Sequence, residues 1–353
     1  TNNTDHIAQM SCNPAIGGIA KGQVVREIDA LGGEMGKSAD IATLQFRMLN
    51  LSKGPAVQSP RAQCDKIIYQ QHMKHVLENQ PGLAVHQARV TSLKTDGNDR
   101  VTGVVTEFED LWKAKAVIIA TGTFLQGKLH YGMQTVSGGR AGDPAADKLA
   151  QVLRDDLSLQ TGRLKTGTPP RLLGNSIDFT SMQRQDADDT PQHFSFRHGG
   201  NTLPSPTGDG LPALPCYITE STPETADIIR NNLDQSPMYQ GRIEGIGARY
   251  CPSFEDKIAR FPDRETHQIY LEPEGAFTNE YYLNGISTSL PPRIQWQMVR
   301  SLPGMKNAHI TRYAYAIEYD FVYPHQLDIT MALSNWHNLF LAGQINGTTG
   351  YEE

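Results

Sequence analysis

The stretch Leu339-Phe340-Leu341-Ala342-Gly343-Gln344-Ile345-Asn346-Gly347-Thr348-Thr349-Gly350-Tyr351-Glu352-Glu353 decides how the rest of the chain is read. An apolar strand runs into small residues and then into the start of a helix, and the sequence stops inside that motif. Strand ends built from glycine and threonine bring bare backbone N–H groups close to a ligand. The first turn of a following helix favours electron-rich groups there. A flavin or a phosphate suits such a corner, although an ordinary strand-to-helix turn uses the same residues.

A second corner matches it. Lys115-Ala116-Val117-Ile118-Ile119-Ala120-Thr121-Gly122-Thr123 is a continuous apolar run of the kind buried parallel strands show, ended by Ala-Thr-Gly. It resembles the second nucleotide-side strand of two-dinucleotide-binding flavoproteins, in which small residues let the chain pass close to FAD. Upstream, Ser59-Pro60 is expected to cap a helix reaching about Leu77, ended by Pro81-Gly82, with a strand from Leu83 to Val90 after it. Asp96-Gly97-Asn98-Asp99 reads as the turn before a strand from Val101 to Phe108.

A chain of 353 residues with 38% apolar content has room for two moderate cores. Its net charge of −6 and pI near 6.0 give no global attraction for nucleic acid, so any RNA contact must come from local basic patches. Cys12, Cys64, Cys216 and Cys251 form no C-x-x-C pair, which suits reduced thiols and implies no zinc site. No apolar run approaches a bilayer span and no signal-peptide pattern opens the chain. Thr1 at the start, and an end inside a growing helix, lead to the expectation of a fragment.

Met10 to Gly22 packs small residues around Cys12 and leads into an amphipathic segment, Gln23 to Leu31. Such a turn can cradle phosphate or flavin, and the helix would favour a Cys12 thiolate; equally, Cys12 can be a small buried filler. Gly32 to Ser38 contains Gly-Lys-Ser, but Leu31 stands where a P-loop needs its first glycine, so an exposed turn is expected. Ser137 to Pro144 reads as a small-residue loop before a helix from about Ala145 to Leu153. Gly162 to Arg171 sets three cations around Pro169-Pro170, a candidate phosphate-contacting patch unless merely solvated. Asp186 to Leu214 has no useful periodicity; Cys216 to Thr219 reads as a strand and Pro223 to Leu233 as a helix. Gly245 to Pro252 has two glycines of a dinucleotide fingerprint but Tyr250 in place of the third, and Arg249, Lys257 and Arg260 flank Cys251, charge that lowers a thiol pKa. His72 and His75 lack a third metal ligand and read as a solvated helix face.

Taken together, Ser11 to Gly22, Gly162 to Arg171, Arg249 to Lys257, His267 to Gly275, Asn284 to Pro291, Tyr315 to Asp320 and Ala342 to Glu353 closely resemble the glucose-inhibited division protein A family. These are FAD-dependent tRNA uridine 5-carboxymethylaminomethyl modification enzymes. The resemblance implies an α/β, glutathione-reductase-like FAD domain (residues 1–164 and 312–353) interrupted by an inserted mixed α/β domain (residues 165–311). It also implies that the family's N-terminal Gly-x-Gly-x-x-Gly strand and C-terminal helical domain are missing. By the same resemblance Val90, Ala146, Gly343 and Gln344 contact FAD, with Ala146 standing where bacterial relatives are expected to have serine. The stretch assigned to NAD is Gly247, Ala248, Arg249, Tyr250, Cys251, Pro252, Ser253, Phe254, Glu255, Asp256, Lys257, Ile258, Ala259, Arg260 and Phe261. Cys12 and Cys251 match the two cysteines considered for catalysis, unranked here; Cys64 and Cys216 read as packing residues. The implied chemistry builds the substituent on C5 of wobble uridine in tRNA. NADH serves as reductant and methylenetetrahydrofolate as one-carbon donor, with a GTPase partner and a homodimer. The expected location is the cytoplasm, or the mitochondrial matrix in a eukaryotic relative. Rival readings are the related folate- and FAD-dependent tRNA methyltransferases and a catalytically inert module that binds tRNA or protein.

Overall fold

A computed structural model describes residues 1–189, 192–198, 211–247, 251–348 and 350–352. The chain is mixed α/β. Its opening motif forms as a short strand, Leu339–Leu341, paired in parallel with Val117–Ile119. Strand alternation puts Leu339, Leu341, Val117 and Ile119 into one core, which also holds Leu93, Val101, Leu149 and Leu153. Ile118 faces the other way and is 69% exposed, so the apolar run is covered on one face instead of the expected two.

The antiparallel meander Val90–Thr95, Val101–Thr106 and Leu111–Lys113 packs on that core, with the Asp96–Asp99 turn where it was expected. Residues 83–89 are not a strand. Their backbone is engaged by the first residue: Ala88 N–H donates to Thr1 O, and the Thr1 amino group to His86 O.

The helix expected from Ser59 begins later. Ser59–Cys64 is the middle strand of a three-stranded antiparallel sheet between Ala15–Gly17 and Thr43–Leu49. Asp65 then caps the helix Lys66–Glu78, its Oδ1 accepting from Ile67 and Ile68 N–H at 2.9 and 3.0 Å. Ser-Pro suits an extended entry as well as a cap, and the stronger cap lies six residues on. The Gly-Lys-Ser segment also differs from the expected exposed turn. Gly32 turns the chain with φ +91°, but Met35–Ile41 is a helix, and buried Ser38 bonds His72 at 2.9 Å. His72 therefore packs against this helix and is not part of a solvated face.

Two larger sheets position the site. One runs in the order Ile246–Gly247, Thr161–Thr168, Tyr315–Val322, Lys128–Tyr131, Gln134–Ser137. Thr161–Thr168 pairs antiparallel with Tyr315–Val322 along its whole length. Between those two strands in sequence the chain builds a six-stranded sheet, from Arg171–Leu173 through Ile310–Arg312, with its own core of Leu172, Ile229, Phe254, Ile269, Leu271 and Met298. Helices Pro223–Arg230, Phe254–Arg260 and Pro292–Arg300 contribute to that core. Pro169-Pro170 is the passage between the sheets. Within 186–214 the described residues are irregular apart from the turn Phe196–His198, and fully buried Phe194 packs edge-on to Phe46 at 5.6 Å. No helix among the described residues is long and apolar enough to cross a membrane.

Candidate functional site

Parallel strands end on the same side, so the Ala-Thr-Gly bend and the Gly-Gln-Ile-Asn turn arrive together. Ala342 N–H donates to Ile119 O at 2.9 Å, and a Cβ on Gly122 would stand 3.7 Å from Gln344 Oε1. The turn Gly343–Asn346 opens on Gly343 at φ +78° and closes at Gly347 at φ +86°, conformations that glycine adopts without steric cost. Ligands in α/β sheets sit outside the carboxyl ends of strands, and two cavities lie there. One, of about 430 Å³, is lined by Val90, Ala146, Val117 to Gly122, Gln9 and His6. The other, of about 350 Å³, is lined by Cys12, Cys251, Thr123, Gln344, Tyr282 and Lys257 among others. Arg140 borders both.

The two thiols meet on one backbone atom. Cys12 Sγ lies 3.3 Å and Cys251 Sγ 3.5 Å from the carbonyl oxygen of Gly167, near the end of the strand Thr161–Thr168. Tyr282 Oη stands 2.8 Å from Cys12 Sγ, and Cys12 N–H donates to Tyr351 Oη at 2.6 Å. Beneath Cys12 a buried triad holds its backbone. Glu274 accepts from Arg171 Nε at 2.9 Å and Lys66 Nζ at 3.2 Å; both cations also donate to Cys12 O, at 3.3 and 3.4 Å. Burial pushes Glu274 up, and the Lys66 and Arg171 charges more than reverse this, holding it below the ordinary carboxylate range. Burial pulls Lys66 down to about 8 against the opposing pull of Glu274.

The expected phosphate patch at Gly162 to Arg171 is therefore committed inward. Arg171 and Lys165 are buried, Arg171 on Glu274, and Arg163 bonds Asp320 at 2.8 Å. A charged segment that runs from one sheet into the next finds Asp320 across the strand pair and Glu274 just past the strand Gln268–Pro273, partners invisible in local sequence. The expectation that neighbouring cations lower the Cys251 thiol is also corrected. Burial and the nearby Cys12 raise it, and Lys165 and Lys257 only partly offset them. Cys64 and Cys216 are buried, and burial pushes the Cys216 thiol up to about 12.

Of the Gly247 to Phe261 stretch, Cys251, Pro252 and Lys257 border the thiol cavity. Ser253 caps the helix Phe254–Arg260 by accepting from Asp256 N–H, Phe254 and Ile258 are core, and buried Glu255 accepts from Ser289 N–H and Oγ. Gly247 is exposed in its short strand, as is Ala259 on the helix. Asp256, Arg260 and Phe261 line a separate cavity of about 330 Å³ with Lys257, Arg264 and His267. Ala248, Arg249 and Tyr250 lie outside the described residues. Sequence reading missed Tyr282, Tyr351 and the Lys66–Glu274–Arg171 triad. Period-two alternation in Glu280–Asn284 separates Tyr281 from Tyr282, but nothing local says which face meets Cys12. No metal-binding group occurs among the described residues.

Parallel strand ends over two adjoining cavities, with paired thiols at one wall, define an α/β protein built around a dinucleotide-type cradle. The chain belongs to the glucose inhibited division protein A family, whose model matches residues 1–353. It is 51% identical to Aquifex aeolicus GidA in one crystal form, with a TM-score of 0.91 over 100% of this chain and 58% of that one. In a second crystal form the identity is 50% and the TM-score 0.89, over 99% of this chain and 56% of that one. The chain thus spans somewhat more than half the length of those proteins.

Proposed function

We propose that this chain is the FAD-bearing and thiol-bearing part of a tRNA-modifying enzyme that builds the 5-carboxymethylaminomethyl group on wobble uridine. The observation that carries the reading is the junction at Gly122 and Gln344, where the two strand ends open onto a cavity walled by Cys12 and Cys251. Family membership supports a flavoprotein that acts on tRNA. The residues fit a flavin. Among the described residues Thr121 Oγ1 and Gln9 Oε1 are buried without a hydrogen-bond partner, and both residues border the larger cavity, where a polar ligand satisfies them. Val90 and Ala146 border it as well, while Gly343 and Gln344 form the turn beside the thiols. Bound FAD supplies electron transfer from NADH and handling of the one-carbon unit of methylenetetrahydrofolate.

The chain's own residues have narrower tasks. The small strand ends let backbone approach the flavin, and Lys257, near the wall between cavities, offers a cation for the nicotinamide dinucleotide along Gly247 to Phe261. A thiolate adding to C6 of uracil turns C5 into the nucleophile that the modification requires. The negative overall charge leaves tRNA binding to local cations and to other parts of the assembly. By family resemblance we infer that this assembly is a homodimer with a GTPase partner in the cytoplasm, or in the mitochondrial matrix of a eukaryote. The purified chain titrated with FAD under anaerobic conditions and then given NADH tests the reading. Saturable binding followed by bleaching is expected; a folded chain that binds no flavin refutes it.

A further inference from the structure

Both thiols of the cavity donate to a single acceptor, the Gly167 carbonyl oxygen. A carbonyl oxygen accepts from two S–H groups but repels a thiolate, so whichever cysteine ionises needs a different donor. Among the described residues a side-chain donor reaches Cys12 Sγ, the Tyr282 hydroxyl at 2.8 Å, and none reaches Cys251 Sγ. Tyr282 is buried in the strand Glu280–Asn284, and burial pushes its phenol well above the usual range, so it stays protonated; with the Cys12 S–H directed at Gly167 O, the Tyr282 O–H is left as the donor of the pair. The Arg171 guanidinium lies over its ring at 4.9 Å and also donates to Cys12 O, fixing ring and backbone relative to each other.

We propose that Tyr282 divides the labour of the thiol pair: by donating its O–H to Cys12 Sγ it makes Cys12 the thiolate nucleophile and leaves Cys251 the protonated thiol held on Gly167. This deepens the proposed function and rests on it for the identity of the electrophile. Cys12 gives its proton to solvent. Its sulfur lone pair forms the C–S bond to C6 of the pyrimidine, and the C5–C6 π pair moves toward C5 and the O4 carbonyl. Cys251 keeps its proton through that step. Once C5 has formed its new bond, loss of the C5 proton expels sulfur as thiolate and restores the pair. The groups that face Cys12 are Tyr282, Tyr351 and Cys251 around the sulfur and amide, and Arg171 and Lys66, neutralised in part by Glu274, at its carbonyl; Lys165 and Lys257 act on Cys251 by charge and only partly offset its burial. Tyr315 adds a third phenol at the cavity wall.

Site-resolved alkylation of the unmodified chain by iodoacetamide, followed by mass spectrometry across a pH series, tests this without flavin or tRNA. Cys12 is expected to react with a lower pH midpoint than Cys251. In Tyr282→Phe, which keeps the ring under Arg171, the Cys12 midpoint is expected to rise by about one unit and its rate near neutral pH to fall about ten-fold, with the high-pH plateau unchanged. A purely structural role for Tyr282 moves the plateau and leaves the midpoint in place. Equal midpoints in the unmodified chain, a lower one for Cys251, or an unmoved Cys12 midpoint in Tyr282→Phe overturns the assignment. Since neither FAD nor tRNA enters this assay, its failure is distinct from failure of the proposed function.

Discussion

Arg171 concentrates the residue-scale argument. It is buried, paired with Glu274, stacked on Tyr282 and bonded to the backbone of Ser11 and Cys12. Arg171→Met leaves Glu274 with Lys66 as its cation but takes the charged donor from the Ser11 and Cys12 carbonyls, so it is expected to lower unfolding free energy by about 3 kcal/mol in urea titration. Adding Glu274→Gln to Arg171→Met should not recover that loss, because buried Lys66 then loses its carboxylate partner. Glu318 gives a pH prediction. Burial raises its carboxyl, but bonds from His130, the N–H groups of Gly245 and Glu244, and the Arg163 charge outweigh burial and hold it at about 2. A folded-state value below the unfolded one means stability that is present above the ordinary carboxylate value near 4.5 and lost as pH falls toward 2. Glu318→Gln should flatten the stability profile in that window; an unchanged slope would remove Glu318 from the balance. These bonds hold residues 244–245, which lead toward Cys251.

At the scale of elements, the turn after Leu339–Leu341 and the helix after Asp65 are the points where sequence signals and structure can be compared. The turn was legible because glycine at positions 343 and 347 is needed for positive φ. Gly343→Ala is expected to cost about 1 kcal/mol and to weaken flavin binding, measured by thermal unfolding and by fluorescence titration. The helix Lys66–Glu78 was legible in its body and misplaced in its start. Asp65→Ala should destabilise by at least about 1 kcal/mol, since Asp65 caps two N–H groups and also accepts from Ala276 N–H at 2.7 Å. Ser59→Ala tests the rejected cap: it leaves helix content unchanged by circular dichroism if the strand assignment holds. The misreading of Ser59–Cys64 has a physical cause. A short central strand buried on both faces has no alternating pattern to announce it.

For the whole molecule, the mixed α/β class was readable from the family motifs. The pairing that closes the site was not. Thr161–Thr168 and Tyr315–Val322 pair directly although the six-stranded sheet separates them in sequence, and it is this long-range closure that seats Gly167 beside Cys12 and Cys251. Cys12, Cys251 and Gln344 were singled out from sequence, and the fold brings all three to one cavity. The partners that organise them, Tyr282, Tyr351 and the Lys66–Glu274–Arg171 triad, come from separate parts of the chain and depend on registers that no local pattern encodes. The strand-end corner and the thiol wall meet at Gln344 as one site. The direct test compares alkylation of all four cysteines by mass spectrometry with and without saturating FAD. Bound FAD is expected to slow modification of Cys12 and Cys251 together while buried Cys64 and Cys216 stay unreactive; bound FAD that leaves both cavity thiols reacting at their free rates contradicts a shared site.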